Sequence, residues 1–208
     1  MANSRAWMRR HLSDPFVKAA QREGYASRAA YKLLAIQKKD RIFKKGMTVV
    51  DLGAAPGGWS QVASHCVGEK GRVVAIDMLP MDVPAGVEFI QGDFNDEAVI
   101  AALLEKAPRA DVIISDMSPN LSGKKSIDLP RTLHLLELAL DCVEKILKPN
   151  GVFLFKAFQG PGLESFIQQV KLSFLEVKYR KPEASRSTSK EVYVFASGFR
   201  GKRRKSEV

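Results

Sequence analysis

A chain of 208 residues with a hydrophobic fraction of 45% can bury a core without staples, and that length fits one domain. No apolar run approaches the ~20 residues of a membrane span, Met1 to Arg10 is polar and basic rather than a secretory signal, and Cys66 and Cys142 make no C-x-x-C. A membrane location, secretion and a cysteine scaffold are set aside, and a reducing cytoplasm is the expected setting. The net charge of +10 is unevenly spread: residues 1–45 hold 12 Lys/Arg against 3 Asp/Glu, residues 178–208 hold 10 against 3, and the centre is acidic. Basic arms suit a polyanion such as nucleic acid, and an acidic core suits a cationic small molecule.

Ser13-Asp14-Pro15 reads as a helix start, with a cap followed by proline in the first turn. That helix runs to about Arg22 and stops at Gly24. Ser27 is a second cap, and Ala30, Leu33, Leu34 and Ile36 form an apolar stripe at helical spacing. From Thr48 the chain alternates strand and helix. Strands are expected at 48–52, 71–77, 87–90, 110–116 and 152–156, with helices at 58–67, 97–106, 129–147 and 162–170. Lys148-Pro149-Asn150-Gly151 closes the long helix. Two β-rich segments, 175–180 and 191–196, are joined by a loop too short for a helical crossover, so this pair is antiparallel. The alternation predicts an α/β fold: a doubly wound, mostly parallel seven-stranded sheet with an antiparallel last strand. There is no internal repeat. The expected organisation is one domain over 1–208, with a basic helical extension at about 1–45 and a short, disordered basic tail at about 200–208.

The first strand ends in Asp51 and turns through Gly53-Ala54-Ala55-Pro56-Gly57-Gly58 into a helix. Open α/β sheets bind nucleotide-like ligands at such a turn, and glycine lets backbone approach a ligand closely. There is no Gly-Lys-Ser/Thr and no G-x-G-x-x-G, which argues against a P-loop and weakens a dinucleotide reading. Asp51, Asp77, Asp93, Asp116 and Lys156 fall at successive strand ends, on the edge where the ligand lies. Asp77, about twenty residues past the glycines, suits ribose hydroxyls. Lys156 ends the apolar strand Val152-Phe153-Leu154-Phe155, where a buried lysine needs a partner. His11, His65 and His134 have no metal-ligand spacing.

The chain resembles the FtsJ/RrmJ family of S-adenosylmethionine-dependent RNA 2′-O-ribose methyltransferases. The likeness is carried by Ser27–Leu33, Asp51–Gln61, Gln91–Phe94, Asp116–Asn120, Lys156–Gly160, Arg180–Pro182, Ser185-Arg186 and Ser189–Tyr193, nearly the whole chain. It implies a Rossmann-like fold and a Lys-Asp-Lys-Glu tetrad at Lys32, Asp116, Lys156 and Glu191. It implies S-adenosylmethionine contacts at Gly57, Trp59, Asp77, Asp93 and Asp116, with Trp59 as an apolar wall and Asp93 at the adenine amino group. No metal is implied. The implied substrate is a uridine of 23S ribosomal RNA on the large subunit; transfer RNA, an mRNA cap, or a role as a cofactor-binding ribosome assembly factor are the alternatives. A monomer without a protein partner is expected. Arg28, Lys32, Lys38, Lys39, Arg41, Lys44 and Lys45 would grip phosphates on one side, and Lys178, Arg180, Lys181, Arg186 and Lys190 on the other. To act as a base Lys156 must first be neutral. Burial and a neighbouring cation favour that form and carboxylates oppose it, so a base and an orienting group both stand.

Overall fold

The computed structural model describes residues 13–119, 122–186 and 189–201. The basic tail after Gly201, the residues before Ser13, and Asn120 lie outside the described residues.

Helix α1 (Pro15–Glu23) starts where Asp14 accepts a hydrogen bond from the Phe16 N–H at 3.0 Å and stops at Gly24, whose left-handed φ of 76° no branched residue adopts readily. Helix α2 follows at Ala29–Asp40. The body then runs β1 (Thr48–Leu52), α3 (Gly58–Val67), β2 (Arg72–Asp77), β3 (Val87–Gln91), α4 (Glu97–Lys106), β4 (Ala110–Ser115), α5 (Lys125–Ile146), β5 (Leu147–Phe158), α6 (Leu163–Ser173), β6 (Phe174–Arg180) and β7 (Glu191–Phe199).

All seven strands form one sheet in the order β3-β2-β1-β4-β5-β7-β6. β7 runs antiparallel to both its neighbours, β5 and β6, and every other pairing is parallel. The expected architecture therefore holds, with the last strand inserted inside the sheet rather than added at its edge. Strands buried on both faces read as nearly continuous apolar runs, and alternate residues divide between two cores. Ile113, Phe153, Phe155 and Val194 pack with α4, α5 and α6. Val49, Ile114, Leu154, Tyr193 and Phe195 pack with α2 and α3. The basic helix α2 is thus a layer of the fold, its Ala30, Leu33 and Ile36 buried against the sheet.

The two largest boundary differences from the sequence reading lie at the starts of β5 and α5. β5 begins at Leu147 rather than Val152, because Lys148–Gly151 forms an irregularity in the β4–β5 register, with Asn150 at a φ of 63° and Lys148 paired to Asp111 at 2.7 Å. Helix α5 starts at Lys125, ahead of Pro130, where Asp128 accepts bonds from the N–H groups of Ser122 and Gly123 and from the Ser122 hydroxyl.

Candidate active site

The glycine loop is tied to β2 by its backbone. The N–H groups of Gly53 and Ala54 donate to the Ile76 carbonyl at 2.9 and 3.0 Å, and that of Ala55 donates to Asp77 Oδ2 at 2.9 Å. Gly53 has a φ of 75°, and a Cβ there would lie 2.4 Å from Met117 Cγ. Only glycine lets this turn pass the loop after β4. Between them opens a cavity of about 440 Å³ lined by Gly53, Asp77, Asp93, Asp116, Met117 and Lys156, among others.

Three of the five residues expected at a cofactor, Asp77, Asp93 and Asp116, line this cavity. Asp77 Oδ1 also accepts from the Leu79 N–H at 2.8 Å, so both its oxygens order neighbouring loops. Asp93 Oδ1 accepts from the main chain and side chain of Asn95, both at 2.9 Å. Those two bonds hold its carboxyl below the usual value. Gly57 caps α3 in the left-handed region and is not among the lining residues. Trp59, expected as an apolar wall, is not among the residues that line this cavity. Its indole is 3% exposed, donates to the Ala29 carbonyl at 2.8 Å and sits 5.5 Å from the Tyr193 ring. It joins α3 to α2 in the core.

The four residues of the expected tetrad, spread over the chain, meet at one edge of the cavity. Lys156 Nζ lies 3.1 Å from Asp116 Oδ1 and also donates to the Asp116 carbonyl. Lys32 Nζ lies 2.8 Å from Glu191 Oε2. Tyr193 joins these two pairs. Its hydroxyl donates to Asp116 Oδ1 at 2.9 Å and accepts from Lys32 at 3.1 Å. The β5–β7 register explains the meeting, since Lys156 pairs with Tyr193 and Phe158 with Glu191. Opposed residues of an antiparallel pair share a face. Burial, then the Asp116 and Glu191 carboxylates, hold the Tyr193 phenol well above its ordinary value, so it remains a proton donor. Burial pushes the Glu191 carboxyl up, but the charges of Lys32 and Lys156 and bonds from Lys32 and Ser185 outweigh it, and the net shift is downward. Sequence reasoning named Tyr193 only within a motif. Its period-two spacing from Glu191 was the available signal, and the partner strand was not readable.

Asp51 lies beneath the glycine loop, fully buried, with Oδ2 accepting from Ser60 at 2.6 Å and Oδ1 without a partner among the described residues. Burial pushes its carboxyl up to about 7 against the opposing Ser60 bond, with the Asp116 and Asp77 charges adding to the rise. The folded state therefore holds a proton that the unfolded chain releases from about pH 4 upward. Stability falls through that window and this contribution levels off above about 7. Asp51→Asn removes the titration, so the unfolding free energy of the variant should gain on wild type between about pH 4 and 7, by roughly 4 kcal/mol at most, and hold a constant gap above. Denaturant unfolding at stepped pH checks this, and a gap that does not change with pH refutes it.

The basic faces divide differently from expectation. Arg28 is bound to Asp14 and the Ala184 carbonyl, Arg180 to Asp40, Lys178 to Glu176, and Lys181 to the carbonyls of Ser189 and Glu191. With Lys32 on Glu191, these cations act within the fold. Lys38, Lys39, Arg41 and Lys44 are exposed and form no ion pair among the described residues. Lys38 and Lys39 border a groove of about 560 Å³ between α2 and the chain around Arg180–Ala184. Among the described residues no group of three or more His, Cys, Asp or Glu is placed to hold a metal ion, and no helix is long and apolar enough to cross a membrane.

Residues 25–199 match the family model described as FtsJ-like methyltransferase. The chain is 57% identical over 198 residues to the ribosomal RNA large subunit methyltransferase E of Acinetobacter baumannii, covering 94% of this chain and 92% of that one. A Plasmodium falciparum structure assigned as a ribosomal RNA methyltransferase is similar at a TM-score of 0.75 and 28% identity, over 86% of this chain and 100% of that one. Aeropyrum pernix fibrillarin, solved with S-adenosyl-L-methionine, shares the fold at a TM-score of 0.61 and 16% identity, over 80% of this chain and 75% of that one.

Proposed function

This chain belongs to the FtsJ-like methyltransferase family, and from that premise we propose that it transfers a methyl group from S-adenosylmethionine to the ribose 2′-hydroxyl of a uridine in 23S ribosomal RNA on the large (50S) subunit. The observation that carries this reading is the bonded chain of Lys156, Asp116, Tyr193, Lys32 and Glu191 at the rim of an acidic cavity. The 57% identical relative supports the ribosomal substrate.

The cavity fits the methyl donor by its chemistry. Asp77, Asp93 and Asp116 give it an acidic lining, which suits a ligand with an ammonium and a sulfonium. In this reading Asp77 holds ribose hydroxyls, Asp93 the adenine amino group, and Gly57 and the Trp59 main chain flank the donor. Bound there, S-adenosylmethionine supplies an electrophilic methyl group. Lys156 borders the same cavity with Nζ fixed by two oxygens of Asp116. It is the group that meets the incoming 2′-oxygen. A neutral Nζ takes the hydroxyl proton, whereas an ammonium donates to the oxygen and aligns it, so the pH–rate profile reads which it does. Holding the oxygen in line with the methyl carbon supplies much of the rate. Lys32 and Glu191 hold the far side of Tyr193, and no metal takes part.

The exposed cations of α2 contact phosphates in this reading, and the enzyme works as a cytoplasmic monomer. Radiolabelled methyl transfer to undermethylated 50S subunits, free 23S RNA and transfer RNA in parallel tests the function. Label confined to transfer RNA would overturn it. Lys38→Ala with Lys39→Ala should raise the KM for subunits about tenfold, lower the salt slope by about one per lysine, and leave kcat within about twofold. A fall in kcat with KM unchanged would remove these lysines from the RNA interface.

A further inference from the structure

The loop between β6 and β7 does more than join two strands. Ser185 is 7% exposed, and its N–H closes a turn onto the Pro182 carbonyl at 2.8 Å. Its hydroxyl donates to Glu191 Oε1 at 2.8 Å, while Lys32 donates to the other oxygen, Oε2, at 2.8 Å. A glutamate on three rotatable bonds is not oriented by one flexible lysine. A second donor on the second oxygen sets its plane. The residue before Ser185 is itself anchored, because Arg28 bridges the Asp14 carboxylate at the start of α1 and the Ala184 carbonyl.

We propose that Ser185 is a positioning residue for the Lys32–Glu191 pair, and that the Asp14–Arg28 clamp holds its loop in place, so that α1 supports the active site from outside it. The proposal deepens the functional reading above, on which its link to methyl transfer rests. The opposite view, that Ser185 merely fills space in the loop, predicts no coupling to Glu191.

The test measures methyl transfer to undermethylated large subunits for wild type, Ser185→Ala, Ser185→Cys and Ser185→Thr, and for Ser185→Ala combined with Glu191→Gln. Ser185→Ala should lower kcat about tenfold, with the KM for subunits and the affinity for S-adenosylmethionine within about twofold. Ser185→Thr keeps the hydroxyl and should return kcat to within about threefold of wild type. Added to Glu191→Gln, Ser185→Ala should cost less than about twofold more. A wild-type rate for Ser185→Ala overturns the proposal, as does an equal fall in both backgrounds. Should the alanine variant unfold, Ser185→Cys preserves volume with a weak donor. It should show the same fall, and a wild-type rate there overturns the proposal too. Carbon-detected NMR titration of Glu191 decides placement independently of catalysis. Ser185→Ala should raise its pKa, because the lost bond is one of those holding it down. An unmoved titration overturns the proposal even if the wild-type chain methylates nothing, an outcome that would by itself overturn the functional reading.

Discussion

Lys156→Ala should lower methyl transfer about a thousandfold or more while S-adenosylmethionine still binds. The lysine is 9% exposed, lies two residues before the end of β5 at the cavity, and is held by the carboxylate and carbonyl of Asp116. On the proposed reading, removing it deletes the group that meets the 2′-oxygen but leaves Asp77, Asp93 and the glycine loop in place. Calorimetric titration with the methyl donor, alongside transfer to undermethylated subunits, separates the two effects. Full methylation by the variant would remove Lys156 from the chemistry. If the variant instead rescued ribosome assembly in cells, the protein's main role would be that of a cofactor-binding assembly factor.

Asp116 carries the second large effect, because it serves both halves of the site. Its Oδ1 meets the Tyr193 hydroxyl and Lys156 Nζ, and its side chain lines the cavity. With the two side chains 8% and 20% exposed, the Lys156–Asp116 pair is largely shielded from water. Asp116→Ala strands a buried cation and should cost about 3 kcal/mol of stability, along with donor binding and transfer. Asp116→Asn keeps an oxygen for Tyr193 but loses the charge. It should lose less stability than Asp116→Ala, because a hydrogen-bond acceptor remains, bind the methyl donor more weakly and transfer about a hundredfold more slowly. Thermal unfolding with single-turnover transfer distinguishes the two variants, and a wild-type rate for Asp116→Asn would refute the assignment.

How much of this was legible depended on whether the signal was local. The glycine turn after Asp51 and the alternation of strands and helices are patterns over a few residues, and both appear where they were expected. The tetrad was named through family resemblance, and the structure brings its four residues together. Tyr193 was passed over because its role depends on pairing with Lys156 across strands separated by a helix and another strand. Arg28 and Arg180 were read as phosphate contacts because sequence shows a charge but not its partner. Asp14 and Asp40, which engage them, come from elsewhere in the fold. Trp59 was placed at the ligand for a similar reason. Its side chain packs against Ala29 and Tyr193, contacts made by residues far away in the chain.

The order of residues alone determined an α/β sheet, a glycine turn built for a ligand, carboxylates at strand ends, and basic arms around an acidic core. Each follows from short-range periodicity, backbone freedom or charge, which neighbouring residues settle among themselves. Only the tertiary structure decided that β7 lies between β5 and β6, that Tyr193 bridges two ion pairs, and which of the described arm cations pair within the fold. Those outcomes depend on contacts between residues far apart in the chain, and pairing and burial exist only once the sheet has closed.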